Sequence, residues 1–333
     1  MTTDLLAFID AASLPALIIL AECFGLLFIG KMVFDISTPQ FKVARQLGEQ
    51  KNTALGVTMA MYYLSLAIVV SGVAASVPVV GEPVDTEPPT ASAAVVTQPA
   101  TTTGPAVAAA VFDWPQLRVA MADVFIWGVV GILLLGVARV ANDRLILRKF
   151  KTTKEIIEDK NVGTGVVEGA AYLSSAFIIR ASVTAESDAA RLVEDVALTV
   201  LFFALSQVML AVFSIVYQAI TKYDLHAEIE RDNVAVGVGF AGPLVALGII
   251  LAAGQRFSTG DTVPGQVVSF VVLSAAAILL LAAFKYLGDW MILTKIDLDK
   301  ELSKNQNVAV ACVAAIIPVA LATFVAAAWS TTQ

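Results

Sequence analysis

Histidine is nearly absent from this chain, cysteine occurs only twice, and charged residues make up 15% of its 333 positions. Each shortage excludes something. One histidine and two cysteines support neither a metal cluster nor a disulfide framework, and both cysteines, Cys23 and Cys312, fall inside apolar stretches where small core residues are expected. His226 lies between Asp224 and Glu228 and reads as a solvated loop or helix-start residue. The net charge of −7 leaves no basic stripe able to displace phosphate counterions, so a nucleic-acid partner is not expected. No zincin motif, phosphate-binding glycine loop or nucleophile elbow occurs. The stretch GVGFAG at 237–242 looks like a dinucleotide loop but lies within an apolar run with helical character. Neither an enzymatic activity nor a cofactor is expected. The opening MTTDLLAFID has no lysine or arginine, which argues against a cleaved secretory signal and for a retained first stretch.

What is present is apolar side chains: 58% of the residues are hydrophobic and the mean hydropathy is +0.82. That excess suits lipid as the solvent. The apolar residues gather into eight stretches, near 14–34, 53–77, 117–138, 162–181, 196–220, 234–254, 264–288 and 308–329, each long enough to cross the hydrocarbon as a helix. The expected fold is therefore an all-α integral membrane protein of about eight transmembrane helices, with the lipid bilayer as its first partner. Basic residues fall 17 on one set of connections and 4 on the other. By the positive-inside rule this places the connections after the odd spans in the cytoplasm and both termini outside it. Trp114 and Trp329 suit the outer interface and Trp290 the inner one.

Four segments share one pattern at the start of each even span: EQKNTALGV, EDKNVGTGV, ERDNVAVGV and KNQNVAVAC. Their asparagines, Asn52, Asn161, Asn233 and Asn307, are separated by 109, 72 and 74 residues. Four parallel two-helix repeats follow, at 1–78, 113–186, 187–260 and 261–333, related by an axis along the membrane normal. Whether they form a ring or two packed pairs stays open. The first interval is longer because residues 79–112, rich in Pro, Thr, Ala and Val and lacking any basic residue, read as a flexible external linker.

Residues four apart share a helix face, and below each asparagine that face is small: Gly56 and Ala60, Gly165 and Gly169, Gly237 and Ala241, Ala311 and Ala315. Such stripes let backbones approach, with the asparagine bonding across the contact; alternatively, the four amides converge and line a polar path. A base and an acid four residues apart recur at the ends of three odd spans: Lys31 with Asp35, Arg139 with Asp143, and Lys285 with Asp289. They read as interfacial ion pairs or as the rim of a vestibule. Glu22, Asp123 and Glu168 fall within the apolar spans, where a carboxylate is a functional-site hypothesis because it is costly in hydrocarbon. Pro243 and Pro318 should kink the sixth and eighth spans.

The recurring asparagine and small-residue start, together with DNVAVGVGFAGPLVALGIILA at 232–252 and its degenerate versions from Lys51, Lys160 and Gln306, resembles the bacterial inner-membrane family of domain of unknown function 350, the YjfL-like proteins. The fourth copy departs from it by carrying Ala311 where the others carry glycine. The resemblance implies location and architecture and supplies no catalytic residue. On the residues themselves, the leading expectation is a channel or transporter for ions or small solutes. The alternative is a non-transporting scaffold or envelope-stress component that docks a cytoplasmic partner or anionic lipid. A second copy of the chain or another membrane protein is a further expected partner.

Overall fold

The computed structural model describes residues 2–76, 114–183, 191–256, 262–291 and 297–330. The 79–112 linker lies outside the described residues. Eight helices are long and apolar enough to cross a bilayer, at Leu14–Ser37, Thr53–Ala75, Trp114–Ile146, Val162–Ser182, Leu192–Ile220, Val234–Arg256, Val263–Tyr286 and Val308–Trp329. Among the described residues there is no strand, as all-α membrane architecture requires, because lipid offers no partner for an open sheet edge.

The spanning helices alternate with four short ones that hydropathy alone does not reveal. In chain order the helices are α1 (Thr2–Ser37), α2 (Val43–Gly48), α3 (Thr53–Ser76), α4 (Trp114–Ala141), α5 (Thr152–Ile157), α6 (Val162–Ser182), α7 (Leu192–Ile220), α8 (Leu225–Glu230), α9 (Val234–Arg256), α10 (Val263–Met291), α11 (Leu298–Ser303) and α12 (Val308–Ser330). After α4 the backbone widens into a π-helical turn at Asn142–Ile146. Each short helix precedes an even span and is followed by one left-handed residue before the asparagine: Lys51, Lys160, Asp232 or Gln306, with φ between 48 and 59°. That conformation is costly for a side chain with a Cβ, and its recurrence at all four sites shows that the turn geometry is demanded by the packing around it.

The long helices form two layers. In the first, α3, α6, α9 and α12 stand side by side in chain order, and in the second α4, α7 and α10 each lie over the seam between two of them. Neither a ring nor two isolated pairs results: the even helices make an open row with α3 and α12 at its ends. The middle helices α6 and α9 are buried on nearly every face, whereas on α12 only Ala311 and Ala322 are buried among the described residues. Cys312 is therefore exposed, contrary to its expected core position, because the outward face of α12 has no neighbour. Helices α9 and α12 run unbroken through Pro243 and Pro318, which border a cavity of about 50 Å³ near Lys285.

The row is close-packed because its contacts are made by backbone. A Cβ built on Gly165 would lie 2.6 Å from the Ala54 carbonyl oxygen, one on Gly237 would lie 2.7 Å from that of Gly163, and one on Gly242 would overlap Ala315. Hydroxyls bond across the same seams, Thr58 to the Gly165 carbonyl at 3.2 Å and Ser174 to that of Leu244 at 2.9 Å. The GVGFAG stretch is thus a packing surface, with Gly237 facing α6, Gly242 facing α12 and Gly239 against Leu302.

Candidate functional site at the repeat junctions

The start of each even helix has four N–H groups without a helical partner, and an asparagine side chain can supply an acceptor. All four do so. Asn52, Asn161, Asn233 and Asn307 accept through Oδ1 from the N–H of Leu55, Thr164, Val236 and Val310 at 2.8–3.2 Å. Their Nδ2 groups donate backwards to a side-chain oxygen on the preceding short helix: Gln46, Glu155, Glu228 and Glu301, at 2.9–3.0 Å. In the first three repeats the remaining Nδ2 hydrogen reaches a carbonyl of the next repeat's short helix, from Asn52 to Ile156 at 2.8 Å, from Asn161 to Ile229 at 2.7 Å and from Asn233 to Leu302 at 3.0 Å.

Each of these three amides is a staple whose two donor hydrogens are both in use. They do not converge on a common lumen. They are strung along the row, one per junction, and all three are buried. The carboxamide and carboxylate partners at Gln46, Glu155, Glu228 and Glu301 lie outside the repeated pattern that marks the asparagines. The signal was present as a glutamine or glutamate five or six positions ahead. Burial raises the pKa of the Glu155 carboxyl, and the hydrogen bond from Asn161 pulls against that shift.

The ionisable residues also regroup. Arg139 does not pair with Asp143: its Nε lies 3.3 Å from Oε1 of Glu168, on α6. The π-helical turn begins at Asn142, directly ahead of Asp143, whose Oδ1 instead accepts the Thr152 N–H at the start of α5 at 3.0 Å. The Tyr172 hydroxyl donates to Glu168 at 3.4 Å, and the Phe34 ring covers the Arg139 guanidinium at 5.2 Å. The pair closes a cavity of about 10 Å³, room for about one water. Lys285 likewise reaches Asp299 of α11 at 3.0 Å, both side chains buried; the Asp289 side chain lies outside the described residues. Lys31 and Asp35 form an exposed pair within α1. The Oε2 atom of Glu22 is buried with no hydrogen-bond partner, and Asp123 is buried on α4. The small-residue positions divide by place in the row: Gly165, Gly169, Gly237, Ala241 and Ala311 are buried in junctions, Ala315 is half-buried, and Gly56 and Ala60 stand at the open end.

The family model for the Domain of Unknown Function DUF350 matches residues 7–183 and again 191–329, together nearly the whole chain. The chain belongs to the DUF350 family. No curated protein and no solved structure matches it. Each DUF350 match covers two of the two-helix repeats, so two of the three stapled junctions fall within a match and one joins them. The joining junction, at Asn161, repeats the amide staple of the other two and shares with the Asn52 junction a glycine set against the preceding repeat's backbone. The DUF350 pair is thus one continuous array rather than two separate bodies.

His226 is buried rather than solvated, because the carbonyl of Ile146, at the end of the π-helical turn, is bonded by its Nε2 at 2.8 Å across 80 residues. A carbonyl only accepts, so Nε2 carries the proton, and Nδ1 is buried with no partner. Burial lowers the pKa of His226 below the ordinary 6.5, with Lys149 and Arg148 adding to the shift. The unfolded chain then binds more protons than the folded one between the folded pKa and 6.5, so this contribution is present above 6.5 and lost as pH falls. Unfolding in detergent compared at about pH 7.5 and about pH 5.5 should show lower stability at the acid value, and His226→Gln should flatten that difference. Equal slopes for the two proteins would remove His226 as the cause. Asp224 titrates in a separate, lower window, its carboxyl held below 3.8 by the Lys149 ammonium and by the Ala227 and His226 N–H groups.

Proposed function

We propose that the chain is a non-transporting membrane scaffold, a rigid panel of helices that docks anionic headgroups on the basic turn after α4, in preference to a channel or transporter for ions or small solutes. The observation that carries this reading is the use of the buried polar groups at the repeat junctions. The Asn52, Asn161 and Asn233 amides bind helix to helix with both donors engaged, and Glu168 is matched by Arg139. A permeation path needs polar valences left for the solute, and these are held by protein.

The turn from Arg144 to Lys151 supports the docking role. Arg144, Arg148 and Lys151 are exposed there within eight residues, while Lys149 bridges to Asp224 at 2.9 Å. Clustered cations beside a spanning helix attract acidic lipid, by about 1 kcal/mol per residue near the surface. The inward orientation of that turn, with both termini outside the cytoplasm, follows the distribution of basic residues. A bacterial inner membrane is the location that the family resemblance implies.

Full-length protein in liposomes tests the reading. Under voltage and pH gradients, potassium and proton flux should not exceed that of protein-free vesicles, and phosphatidylglycerol retained on purification should fall several-fold in the Arg144→Gln, Arg148→Gln, Lys151→Gln variant. A protein-dependent flux that Glu22→Gln abolishes would overturn the scaffold in favour of transport, and unchanged lipid retention would overturn the docking surface.

A further inference from the structure

The three junctions inside the chain use one register. Counting from each asparagine, the backbone two residues on in one repeat faces the glycine four residues on in the next: Ala54 against Gly165, and Gly163 against Gly237. Lower down, Met61 lies on Gly169, Gly242 on Ala315, and Ser174 on Gly248. Each helix thus has a donating face, used on the following repeat, and a receiving face, used by the preceding one.

The ends of the row carry the two halves that have no counterpart within the chain. On α12 the donating positions in this register are Ala309, Ile316 and Ala320, all exposed, with Ile316 at 60%. On α3 the receiving positions are Gly56, Ala60 and Ala67. A Cβ on Gly56 would meet only Leu47, at 3.8 Å, and Ala60 and Ala67 are exposed. The second layer repeats the asymmetry. Helices α4, α7 and α10 each touch the preceding and the following even helix, whereas α1 packs on α3 and leaves beside it a groove of about 600 Å³ lined by Cys23, Ala67 and Ser71. Asn307 caps its helix and bonds Glu301 but, unlike the other three asparagines, reaches no short helix of a following repeat among the described hydrogen bonds.

We propose that copies of this chain associate head to tail in the membrane, α12 of one copy seating in the groove between α1 and α3 of the next, in the register of the internal junctions. Ile316 then lies on Ala60 as Met61 lies on Gly169, large on small, and Ala309 meets Gly56. The Asn307 amide takes the carbonyls at Leu47 and Gly48, which stand where Leu302 and Ser303 stand for Asn233. The contact is heterologous, so it propagates as a ring when the rotation per copy closes and as a filament when it does not. It does not depend on the lipid-docking role.

The test uses full-length protein in native membranes, with Cys23→Ser and Cys312→Ser to clear the background. In that chain Ala60→Cys with Ile316→Cys, oxidised in the membrane, should convert the monomer band into a reducible ladder of dimers and larger species, since close helix contact brings the two Cβ atoms within disulfide reach. Gly56→Cys with Ala309→Cys is the second pair and should behave alike. Val200→Cys with Ile215→Cys, on the exposed face of α7, reports random collision and should stay monomeric. Adding Ala67→Trp to the Ala60 and Ile316 cysteine pair should suppress the ladder while leaving the chain monodisperse in detergent. Cross-linking no greater than that of the α7 control, or a chain that is monomeric by native mass spectrometry in nanodiscs with lipid alone over α12, overturns the proposal.

Discussion

Gly237→Val should destabilise the folded protein by about 2–6 kcal/mol. A Cβ at this position would lie 2.7 Å from the carbonyl oxygen of Gly163, 2.8 Å from its Cα and 3.0 Å from its carbonyl carbon, and all three atoms are backbone. No rotamer change relieves such a contact; α6 and α9 must separate, which also lengthens the bond from Asn161 to the Ile229 carbonyl, now 2.7 Å. Overpacking of a well-filled interior costs about 1–3 kcal/mol, and a lost buried hydrogen bond adds about 1–3 more. Against a total stability of about 5–15 kcal/mol that loss is a large fraction. Fluorescence-detected size exclusion and thermal unfolding in detergent read it directly. Gly136→Ala is the matched control: nothing lies within 4 Å of its added Cβ, and removing a helical glycine should hold stability level or raise it by up to about 1 kcal/mol. A Gly237→Val chain as stable as the parent would refute the close-packed row.

The second large effect is expected at the Arg139–Glu168 pair. Glu168→Ala leaves the guanidinium facing Phe34 and Tyr172 without its counter-ion, and losing one member of a buried pair costs about 3–5 kcal/mol. Arg139→Met alone should cost a similar amount, because the carboxylate is the more deeply buried of the two. The double variant Arg139→Met, Glu168→Leu removes both charges and should recover much of the loss. Unfolding free energies of the four proteins close a double-mutant cycle. Simple additivity would mean that the two side chains do not stabilise one another, and that their proximity has no energetic content.

The small-residue stripes below the asparagines were legible because helical spacing puts i and i+4 on one face whatever the surroundings. Which neighbour each stripe meets was not, since Gly165 and Gly56 occupy the same repeat position yet one touches the Ala54 backbone and the other only Leu47. The acids and bases misled for a related reason. Spacing of four suggests a partner on the same helix, and Lys31 takes it, but Arg139 finds Glu168 on another helix because a buried carboxylate needs a counter-ion. His226 looked solvated beside Asp224 and Glu228. The carbonyl that draws it inward belongs to Ile146, which no local pattern connects to it.

Composition and periodicity alone determined that the chain is helical, crosses the membrane in eight spans and repeats a two-helix unit four times, because lipid tolerates little else and a duplicated motif survives in the residues at its start. The order of the units, the open row with its unlike ends, the asparagine staples and the exchange of ion-pair partners were decided by tertiary structure. Those features depend on which backbone atoms come within hydrogen-bond or van der Waals reach of one another, and such distances arise only when the repeats pack together.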